Sequence, residues 1–362
     1  MLAFFYDTLF SMTLPYLTKA RAPLTSEIDA VNEFGEQQKV SIPAERALTV
    51  YVDKRELVTL MTLGANPELL VLGYLRNQRL VRDVADIESI TVDWDVGAAA
   101  VKTRHGIEDI EEKTAHRVVT TGCGQGSVFG GLMDEVDQIA LPEEAAITQS
   151  QLYSLVNTIR LKETTYKSAG SVHACALFST ASGESDMLLF VEDVGRHNAI
   201  DTIAGWMWCM APTLPTACGS LPPEEAAAPA VWQSRSCGPG LVGESTPHPA
   251  HEDSPDAAPA LLPLHLGEGG GEGSPASSTE SLVFYTTGRL TSEMVIKSAQ
   301  MGVPVVVSRS GITQMGHQVA QLVGLCAIGR ATNKRFLCYT HAERLRLEPG
   351  LLVASSVSAG AG

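Results

Sequence analysis

Residues 211–280 most constrain how this chain can fold, because little of that segment can join a hydrophobic core. The segment holds twelve of the 19 prolines of the chain, together with many Gly, Ala and Glu residues. Such a composition buries too little apolar surface to offset the entropy of ordering the backbone. It also contains nine acids and one base, Arg235, so it supplies about −8 of the formal net charge of −15. We therefore predict a disordered insertion whose removal leaves the fold intact.

On both sides of the insertion, short apolar strands alternate with polar or glycine-containing turns and helices. Residues 171–178 and 187–191 have the composition of strands, and a helix follows from about 196 to 208. Strands and helices alternate in the same way after residue 280. Alternating elements with nearly continuous apolar strands predict a largely parallel sheet with helices on both faces. The insertion is therefore expected to interrupt one α/β domain.

The region nearer the N-terminus has a different pattern. Residues 46–52 and 56–62 alternate apolar and polar side chains, which is typical of a β-hairpin. Asn66 and Pro67 then suit the start of a short helix through Tyr74. We predict an N-terminal extension at 1–31, a small α+β domain at 32–112, an α/β domain at 113–345 that contains the insertion at 211–280, and a C-terminal tail at 346–362.

Composition excludes several classes of protein. The seven cysteines are odd in number and widely spread, which indicates a reducing compartment rather than a disulfide framework. An acidic chain without a clustered Lys/Arg run has no electrostatic footprint for nucleic acid and is repelled by an anionic membrane surface. The apolar start contains Asp7 and lacks the basic leader of a secretory signal. No run approaches the roughly 18 apolar residues of a membrane span, so we expect a soluble cytoplasmic protein.

Cys123 is the candidate for covalent chemistry. It lies between Gly122 and Gly124, and Gly126 follows. These glycines predict a flexible loop with little side-chain cover, which suits a thiol that accepts and donates sulfur as thiolate. An inert cysteine in a glycine turn is the alternative, and the spacing alone leaves both open. The other six cysteines, on apolar strands, at a helix end or in the insertion, are weaker candidates: Cys175, Cys209, Cys218, Cys237, Cys326 and Cys338.

Three further strand-to-helix turns carry groups suited to an anion. One contains Arg196 and His197, and two others set Arg289 and Arg309 beside hydroxyls at a helix start. Arginines and helix N-termini bind phosphates, and His197 could relay a proton or lower the pKa of the thiol. None of these turns matches an established phosphate-loop motif. Ordinary turn and cap residues are the alternative interpretation.

Two other segments contain residues that could bind a metal or a purine. His173 and Cys175 are spaced like the start of a zinc-deaminase motif, but Cys175 stands at the place of its essential Glu and no Pro-Cys-x-x-Cys follows, so we expect no metal. Residues 336–341 form an apolar strand that ends in Tyr, Thr and His, groups able to stack on and hydrogen-bond a purine. An ordinary terminal strand is the alternative.

Taken together, these loops resemble the FdhD family, sulfurtransferases required for active formate dehydrogenase. The most specific run is residues 192–201, Glu-Asp-Val-Gly-Arg-His-Asn-Ala-Ile-Asp. The resemblance covers most of 32–345 apart from the insertion. The other matching segments are 32–33, 42–47, 63–68, 120–123, 170–174, 288–297, 308–310 and 339–341.

The resemblance implies a function for Cys123. By this resemblance, it takes sulfur from a cysteine desulfurase as a persulfide and transfers it to the molybdenum, or the tungsten, of a bis(molybdopterin guanine dinucleotide) cofactor. The cofactor is bound by the carrier as its acceptor and delivered to the formate dehydrogenase catalytic subunit. In the family the strand at 336–341 is assigned to the cofactor, so six residues inherit that role: Phe336, Leu337, Cys338, Tyr339, Thr340 and His341.

The resemblance also implies a fold and an assembly. Family members have a cytidine-deaminase-like, three-layer α/β domain with a smaller N-terminal α+β domain, and they form homodimers. The absent zinc-site residues agree with such a frame that lacks deaminase chemistry.

One departure from the family pattern concerns the loop of Cys123. Many members carry Cys-x-x-Cys there, but in this chain Gly126 stands at the second position. This implies either a one-cysteine carrier, which we favour, or a helper thiol from elsewhere. A cofactor-binding chaperone without sulfur transfer is the alternative function. A thiol redox sensor is less favoured, because no resolving cysteine is near in sequence.

Overall fold

The computed structural model describes the elements around the insertion, in the residues 14–107, 110, 118–119, 126–127, 136, 139–162, 165–210 and 281–351. Cys123 and the segment 211–280 lie outside these residues. In the part of the chain that is described, no helix has the length and apolar character needed to cross a membrane.

The N-terminal part is built on a five-stranded sheet with the order β1-β6-β7-β4-β5. A helix, α1 at Pro67–Asn77, packs on this sheet and extends three residues beyond the predicted end. A separate antiparallel hairpin, which the sequence did not predict, consists of β2 at Thr25–Val31 and β3 at Gln37–Pro43. The sheet strands are β1 at Tyr16–Leu17, β4 at Arg46–Val52, β5 at Arg55–Thr62, β6 at Ile87–Asp93 and β7 at Ala98–Thr103.

The predicted β4–β5 hairpin is confirmed. Its two turn residues, Asp53 and Lys54, both have positive φ angles of 47° and 74°. Two consecutive left-handed residues match the right-handed twist of the flanking strands. Asp53 is further fixed by bonds that its carboxylate accepts from the backbone N–H and hydroxyl of Thr103, at 2.9 and 2.5 Å.

The larger part is built on a six-stranded sheet with the order β12-β11-β13-β14-β15-β16. Its strands are β11 at His173–Ser179, β12 at Asp186–Asp193, β13 at Leu282–Thr286, β14 at Val305–Ser308, β15 at Cys326–Thr332 and β16 at Arg335–Thr340. Besides the β2–β3 hairpin, the described residues form two further two-stranded pairs. One joins β8 at Val118–Val119 to β9 at Gly126–Ser127, and the other joins β10 at Ile147–Thr148 to β17 at Leu345–Arg346.

The expectation of a largely parallel sheet is wrong. Only β13–β14 and β14–β15 run parallel, whereas β11–β12, β11–β13 and β15–β16 are antiparallel. For two of the three antiparallel pairs, β11–β12 and β15–β16, the physical reason is connection length. The turns at 180–185 and 333–334 are too short for the crossover that parallel neighbours require. The fold is therefore a mixed α/β structure.

Helices cover both faces of the six-stranded sheet. On one face, α2 at Gln149–Lys162 packs on the alternate strand residues that include Val283 and Tyr285. On the other face, the intervening residues, such as Phe284, meet the remaining long helices. These are α4 at Arg196–Met210, α5 at Ser292–Gln300 and α6 at Gln314–Leu322, while the short α3 spans Thr165–Ala169. The period of two along each buried strand thus sorts its side chains between two cores.

The two sheets are joined through close contact of α1 with α4. A Cβ atom on Gly73 would overlap the backbone carbonyl of Asp201, and one on Gly205 would overlap that of Leu69. Only glycine allows the backbones to approach this closely. The contact fixes the first turns of α4, where the candidate site begins.

Candidate functional site

The candidate site lies at the edge where β12, β13 and β14 end. Because β12 and β13 are both antiparallel to β11, they point the same way, and β14 runs parallel to β13. Each strand is followed by a turn and a helix, α4, α5 or α6. Three helix N-termini therefore meet at one edge, as expected for ligand-binding sites of open sheets.

The turns after β13 and β14 hold each other in place. The Ser308 hydroxyl donates to the Gly288 carbonyl at 2.7 Å, and the Arg309 N–H donates to the Thr286 carbonyl at 3.0 Å. The Gly288 N–H donates to the Thr286 hydroxyl at 3.1 Å. Small hydroxyl residues thus satisfy backbone groups that the strands leave unpaired. These hydrogen bonds fix the backbone of the two turns that carry Arg289 and Arg309.

Arg196 and Arg289 form what we call the cationic edge. Arg196 is 7% exposed, and its Nε has no hydrogen-bond partner among the described residues. A Cβ on Gly288 would lie 2.8 Å from Cδ of Arg196, so the glycine makes room for this side chain. In the part of the chain that is described, no carboxylate lies within 4.0 Å of either guanidinium. A buried guanidinium without an anion is costly, so the site favours a negatively charged ligand.

His173 and Arg309 extend this edge. Burial lowers the pKa of His173, and Arg196 and Arg289 lower it further, so the half-buried imidazole lies in the positive field of both arginines. The guanidinium of Arg309 lies over the Tyr166 ring, 6.0 Å from its centroid. The edge therefore offers cations together with a neutral imidazole and an aromatic ring.

The two acids before the turn are held by backbone and side-chain donors. Asp193 accepts bonds from the Thr62 hydroxyl at 2.5 Å and from the Leu63 N–H at 3.1 Å. Its other oxygen accepts from the Gly195 N–H at 3.0 Å and from Nδ2 of Asn198 at 2.8 Å. Asp193 thus ties the end of β5 to the turn that positions Arg196.

Glu192 makes a similar connection to α3. Its carboxylate accepts from the backbone N–H groups of Thr165 and Tyr166 at 2.8 and 3.0 Å. A carboxylate at a helix N-terminus is stabilised by the unpaired amides there. Glu192 therefore fixes the helix that carries Tyr166 next to the cationic edge.

A buried ionic chain lies behind the edge. Nζ of Lys297 is 2.9 and 3.0 Å from the two oxygens of Asp201 and 3.4 Å from Oε1 of Glu293. Asn77, at the end of α1, donates to Asp201 at 2.7 Å. The last member is His197, whose Nε2 lies 3.3 Å from Oε2 of Glu293. We call these residues the buried chain.

His197 does not suit one of the two roles that the sequence indicated, that of lowering the pKa of the thiol. Burial lowers its pKa to about 4, and the nearby carboxylate of Glu293 only partly opposes this effect. The ring is therefore neutral at pH 7. It cannot supply the positive charge that would stabilise a thiolate, and it contacts the buried chain instead.

The predicted cofactor strand is β16, and its side chains divide between two surroundings. Phe336 packs against Tyr153 of α2 with 6.2 Å between ring centroids, and Cys338 lies on the same side, against Cys326. Thr340 is buried and donates its hydroxyl to the Leu325 carbonyl at 2.7 Å. Phe336 and Cys338 belong to the core on the α2 face, whereas Thr340 pairs with Ala327, a residue of the core on the other face.

Tyr339 is the member of this strand that reaches the turn after β14. A Cβ on Gly329 would lie 2.6 Å from its ring, and its hydroxyl lies 3.9 Å from the Cβ position of Gly311. Leu337 is 48% exposed. His341 lies beyond the strand, with Nε2 3.1 Å from the Gln321 carbonyl. The structure therefore brings one of the six residues next to Arg309 and its turn, and the cofactor role of all six stays a prediction.

Cys123, the predicted sulfur carrier, lies outside the described residues. The nearest described elements are β8 and β9, which pair Val119 with Gly126. Of the cysteines that are described, Cys175 is fully buried and burial raises its pKa to about 12. Burial also raises the pKa of Cys209 to about 11. Neither is a nucleophile at neutral pH. No group of three or more His, Cys, Asp or Glu side chains in the described ranges is arranged to hold a metal ion.

A second arginine cluster has a structural explanation. Arg76, Arg79 and Arg82 line a cavity of about 790 Å³ near the C-terminal ends of α1 and α4. Arg76 donates to the Ala204 carbonyl at 3.3 Å and lies over the Trp208 ring, 5.9 Å from its centroid. Cations at helix C-termini offset the partial negative charge of the last carbonyls. We therefore assign the functional site to the cationic edge.

Comparisons with known proteins show the family of this chain. The sequence profile of the FdhD/NarQ family matches residues 43–216 and 273–346. This chain belongs to the FdhD/NarQ family. The matched ranges leave most of the predicted insertion outside the FdhD/NarQ profile.

Individual relatives support the same family. The sulfur carrier protein FdhD of Bacillus subtilis is 26% identical over 317 residues, which are 87% of this chain and 94% of that protein. The sulfur carrier protein FdhD of Wolinella succinogenes is 22% identical and covers 86% of this chain and 84% of that protein. A crystal structure of a protein from Desulfotalea psychrophila, described as a formate dehydrogenase accessory protein, shares the fold. It has a TM-score of 0.55 and 18% identity, and the alignment covers 89% of this chain and all of that one.

Sequence reasoning missed the buried chain. Lys297, Glu293 and Asp201 lie on helices whose other positions are largely apolar, and Glu293 and Lys297 are four residues apart. The sequence signal for it was a charged residue on an otherwise apolar helical face. Such a residue is buried and therefore needs a partner of opposite charge from another element.

Proposed function

We propose that this protein is a sulfurtransferase that carries sulfur as a persulfide on Cys123. The thiolate of Cys123 attacks the outer sulfur of a persulfide on a cysteine desulfurase, and the desulfurase thiolate leaves. The carrier then donates this sulfur to the molybdenum of a bis(molybdopterin guanine dinucleotide), its substrate, which serves the formate dehydrogenase catalytic subunit. The names of its FdhD relatives and of its structural neighbour support this proposal.

The unpartnered Arg196 beside Arg289 is the observation that carries the binding part of the proposal. The dinucleotide substrate has pyrophosphate groups, and guanidinium groups bind phosphate oxygens through charge-assisted hydrogen bonds. Tyr339 lies at the adjoining turn and can stack on a guanine ring. In this arrangement the cationic edge holds the phosphates, and Tyr339 of β16 stacks on the guanine base.

Three further statements belong to this proposal. The helices on both faces of the sheet are compatible with the cytidine-deaminase-like layering expected from the family. A homodimer and a cytoplasmic location are also proposed. Size-exclusion chromatography with light scattering tests the homodimer, because a monomeric mass contradicts it.

The carrier role is tested by mass spectrometry. Incubation of the full chain with a cysteine desulfurase and cysteine is expected to add about 32 mass units, one sulfur, at Cys123. Cys123→Ser should lose the added mass and the activation of formate dehydrogenase. The matched control is Cys175→Ser, since that thiol is buried and hydrogen-bonded to Thr286 at 3.3 Å. Full activation by Cys123→Ser would overturn the carrier role.

The alternative function is a cofactor-binding chaperone without sulfur transfer, and Gly126 at the place of a second cysteine favours it. GDP serves as the probe for the binding step. If Cys123→Ser binds GDP normally and still supports formate dehydrogenase, the chaperone is correct. If it binds GDP normally but no longer supports the enzyme, the sulfur carrier is correct.

A further inference from the structure

Two thiols face each other between the last strands of the sheet. Sγ of Cys326 on β15 lies 3.8 Å from Sγ of Cys338 on β16. The pairing register places Thr340 opposite Ala327 and Cys338 opposite Ile328, so Tyr339 is one extra residue on β16. Such a bulge bends its strand and redirects side chains. Here the two thiols are in contact on one face, while Tyr339 reaches the turn after β14.

The two thiols differ in access. Cys326 is 0% exposed, whereas Cys338 is half-buried on β16, which is the outer strand at this side of the described sheet. A sulfur donor from solution can therefore reach Cys338 but not Cys326. Cys326 can react only with a sulfur that is already attached to Cys338.

The thiols also differ in ionisation. The hydrogen bond with Cys326 lowers the pKa of Cys338, although burial opposes this effect. The same contact, together with burial, raises the pKa of Cys326. Because the thiolate is the nucleophile, Cys338 reacts first and Cys326 retains a proton to give away. Access and ionisation thus assign the same order of reaction.

The proposed sulfur transfer has an electron requirement. The outer sulfur of a persulfide is at the oxidation level of elemental sulfur, whereas a sulfide ligand or free hydrosulfide is two electrons more reduced. A carrier with one cysteine cannot supply these electrons, because forming a disulfide takes two thiols. The loop of Cys123 has no second cysteine, since Gly126 stands there.

We propose that Cys338 and Cys326 form a dithiol that accepts the carried sulfur and reduces it to hydrosulfide. This inference rests on the proposed function, and it replaces the expected one-cysteine carrier by a carrier with a helper pair. In the first step, the Cys338 thiolate attacks the outer sulfur of a persulfide, a new S–S bond forms on Cys338, and the donor thiolate leaves.

In the second step, the Cys326 thiol gives its proton to the outer sulfur of the Cys338 persulfide and attacks the inner sulfur as the thiolate. A Cys326–Cys338 disulfide forms, the bond to the outer sulfur breaks, and the Cys326 proton leaves with it as hydrosulfide. The dithiol is oxidised by two electrons and the transferred sulfur is reduced by two. A low-molecular-weight dithiol restores the pair for the next turnover. The sulfur atoms must approach from 3.8 Å to about 2.05 Å, the length of a disulfide bond.

The first measurement uses the full-length Cys123→Ser protein, fully reduced, with glutathione persulfide as the probe. We expect about one equivalent of hydrosulfide beyond the background of the reagent, and a loss of about 2 mass units that maps to a Cys326–Cys338 disulfide. If Cys326 and Cys338 instead remain reduced, the two residues are a packed cysteine pair only and the proposal is overturned.

Second variants in the same background separate the steps. Cys326→Ser should trap the persulfide, with about 32 mass units added at Cys338 and no hydrosulfide above background. Cys338→Ser should show neither product. Cys175→Ser should behave like the parent, because Cys175 lies on the other face of the sheet in contact with Thr286. Undiminished hydrosulfide release by Cys338→Ser would sink the proposal.

Folding and the carrier role are checked separately. Circular dichroism reports whether Cys326→Ser retains its structure, and if it unfolds, Cys326→Ala provides the same trap without a buried hydroxyl. Loading of Cys123 by a desulfurase is then measured in Cys338→Ser. If Cys123 fails to load, the proposed carrier is wrong while the dithiol reaction stands. If Cys123 loads but no Cys326–Cys338 disulfide forms in the wild type, the dithiol is wrong while the carrier stands.

Discussion

The buried chain and the cationic edge begin at neighbouring residues but use charge in opposite ways. Lys297 has two carboxylate partners within 3.4 Å and is 0% exposed. Arg196, next to His197 at the start of α4, is almost as buried and has no carboxylate within 4.0 Å among the described residues. The cation of the buried chain has carboxylate partners without a ligand, whereas the cationic edge lacks an anion among the described residues. Partnered charge therefore marks the fold here, and unpartnered charge marks the site.

The largest expected effect is the loss of the cation from the buried chain. Lys297→Met leaves Asp201 and Glu293 facing each other without a compensating charge, and breaking such a buried pair costs about 3 to 5 kcal/mol of unfolding free energy. Urea denaturation measures this change. The matched control is Lys102→Met, which removes an exposed pair with Glu88 at 2.7 Å and should cost less than about 1 kcal/mol. Equal effects of both substitutions would contradict the assignment.

The next effect is a pH dependence that originates at His197. Its folded pKa of about 4 lies below the unfolded value of 6.5. The unfolded chain therefore binds the proton first, so stability is complete above pH 6.5 and is lost as the pH falls towards 4. The loss is at most about 3 kcal/mol. The charged and titratable groups that act on His197 are Glu293, Lys297, Arg196 and His173.

Unfolding midpoints between pH 7 and pH 4 test this dependence. His197→Gln should flatten the curve in that range. His317→Gln, at an exposed position of α6, is the control and should follow the wild type. A His197→Gln curve that still falls as steeply would place the titration elsewhere.

A smaller change of opposite sign is expected at the cationic edge. Arg196→Met replaces an unpartnered buried cation by an apolar side chain of similar length, so the ligand-free protein should gain about 1 to 2 kcal/mol of stability. The same substitution should weaken GDP binding. Thermal unfolding without and with GDP measures both. If Arg196→Met destabilises the protein as strongly as Lys297→Met does, the contrast between the two regions is false.

The smallest change in stability is expected at Arg289, which is exposed. Arg289→Ala should alter the unfolding free energy by less than about 0.5 kcal/mol. It should nevertheless weaken GDP binding about tenfold or more, because one charge-assisted hydrogen bond contributes about 1.5 to 3 kcal/mol. Isothermal titration calorimetry checks the affinity, with Arg335→Ala on β16 as an exposed control. Unchanged GDP affinity would remove Arg289 from the site.

Much of the secondary structure follows from local pattern. The β4–β5 hairpin is encoded by alternation and by its turn residues. The helix α1 is encoded by Pro67 at its first position, while the Asn66 side chain makes no cap bond. The β2–β3 hairpin escaped prediction because its residues are mostly exposed and so lack a clear apolar alternation. Strand direction was misjudged for two reasons. Two connections are too short for a crossover, and the pairing of β11 with β13, which are not consecutive, is not specified by sequence order.

The sequence by itself determined the family, the strand-to-helix turns and the candidate cysteine, because each depends on residues that lie within one short segment. Only the tertiary structure decided which charges and thiols have partners. Lys297 meets Asp201 across 96 residues of sequence, and Cys326 meets Cys338 through a bulge. Arg196 and His197 are adjacent in sequence, yet one faces the ligand edge and the other the buried chain. Burial and pairing are properties of elements packed together, so the sequence named the groups and the fold assigned their chemistry.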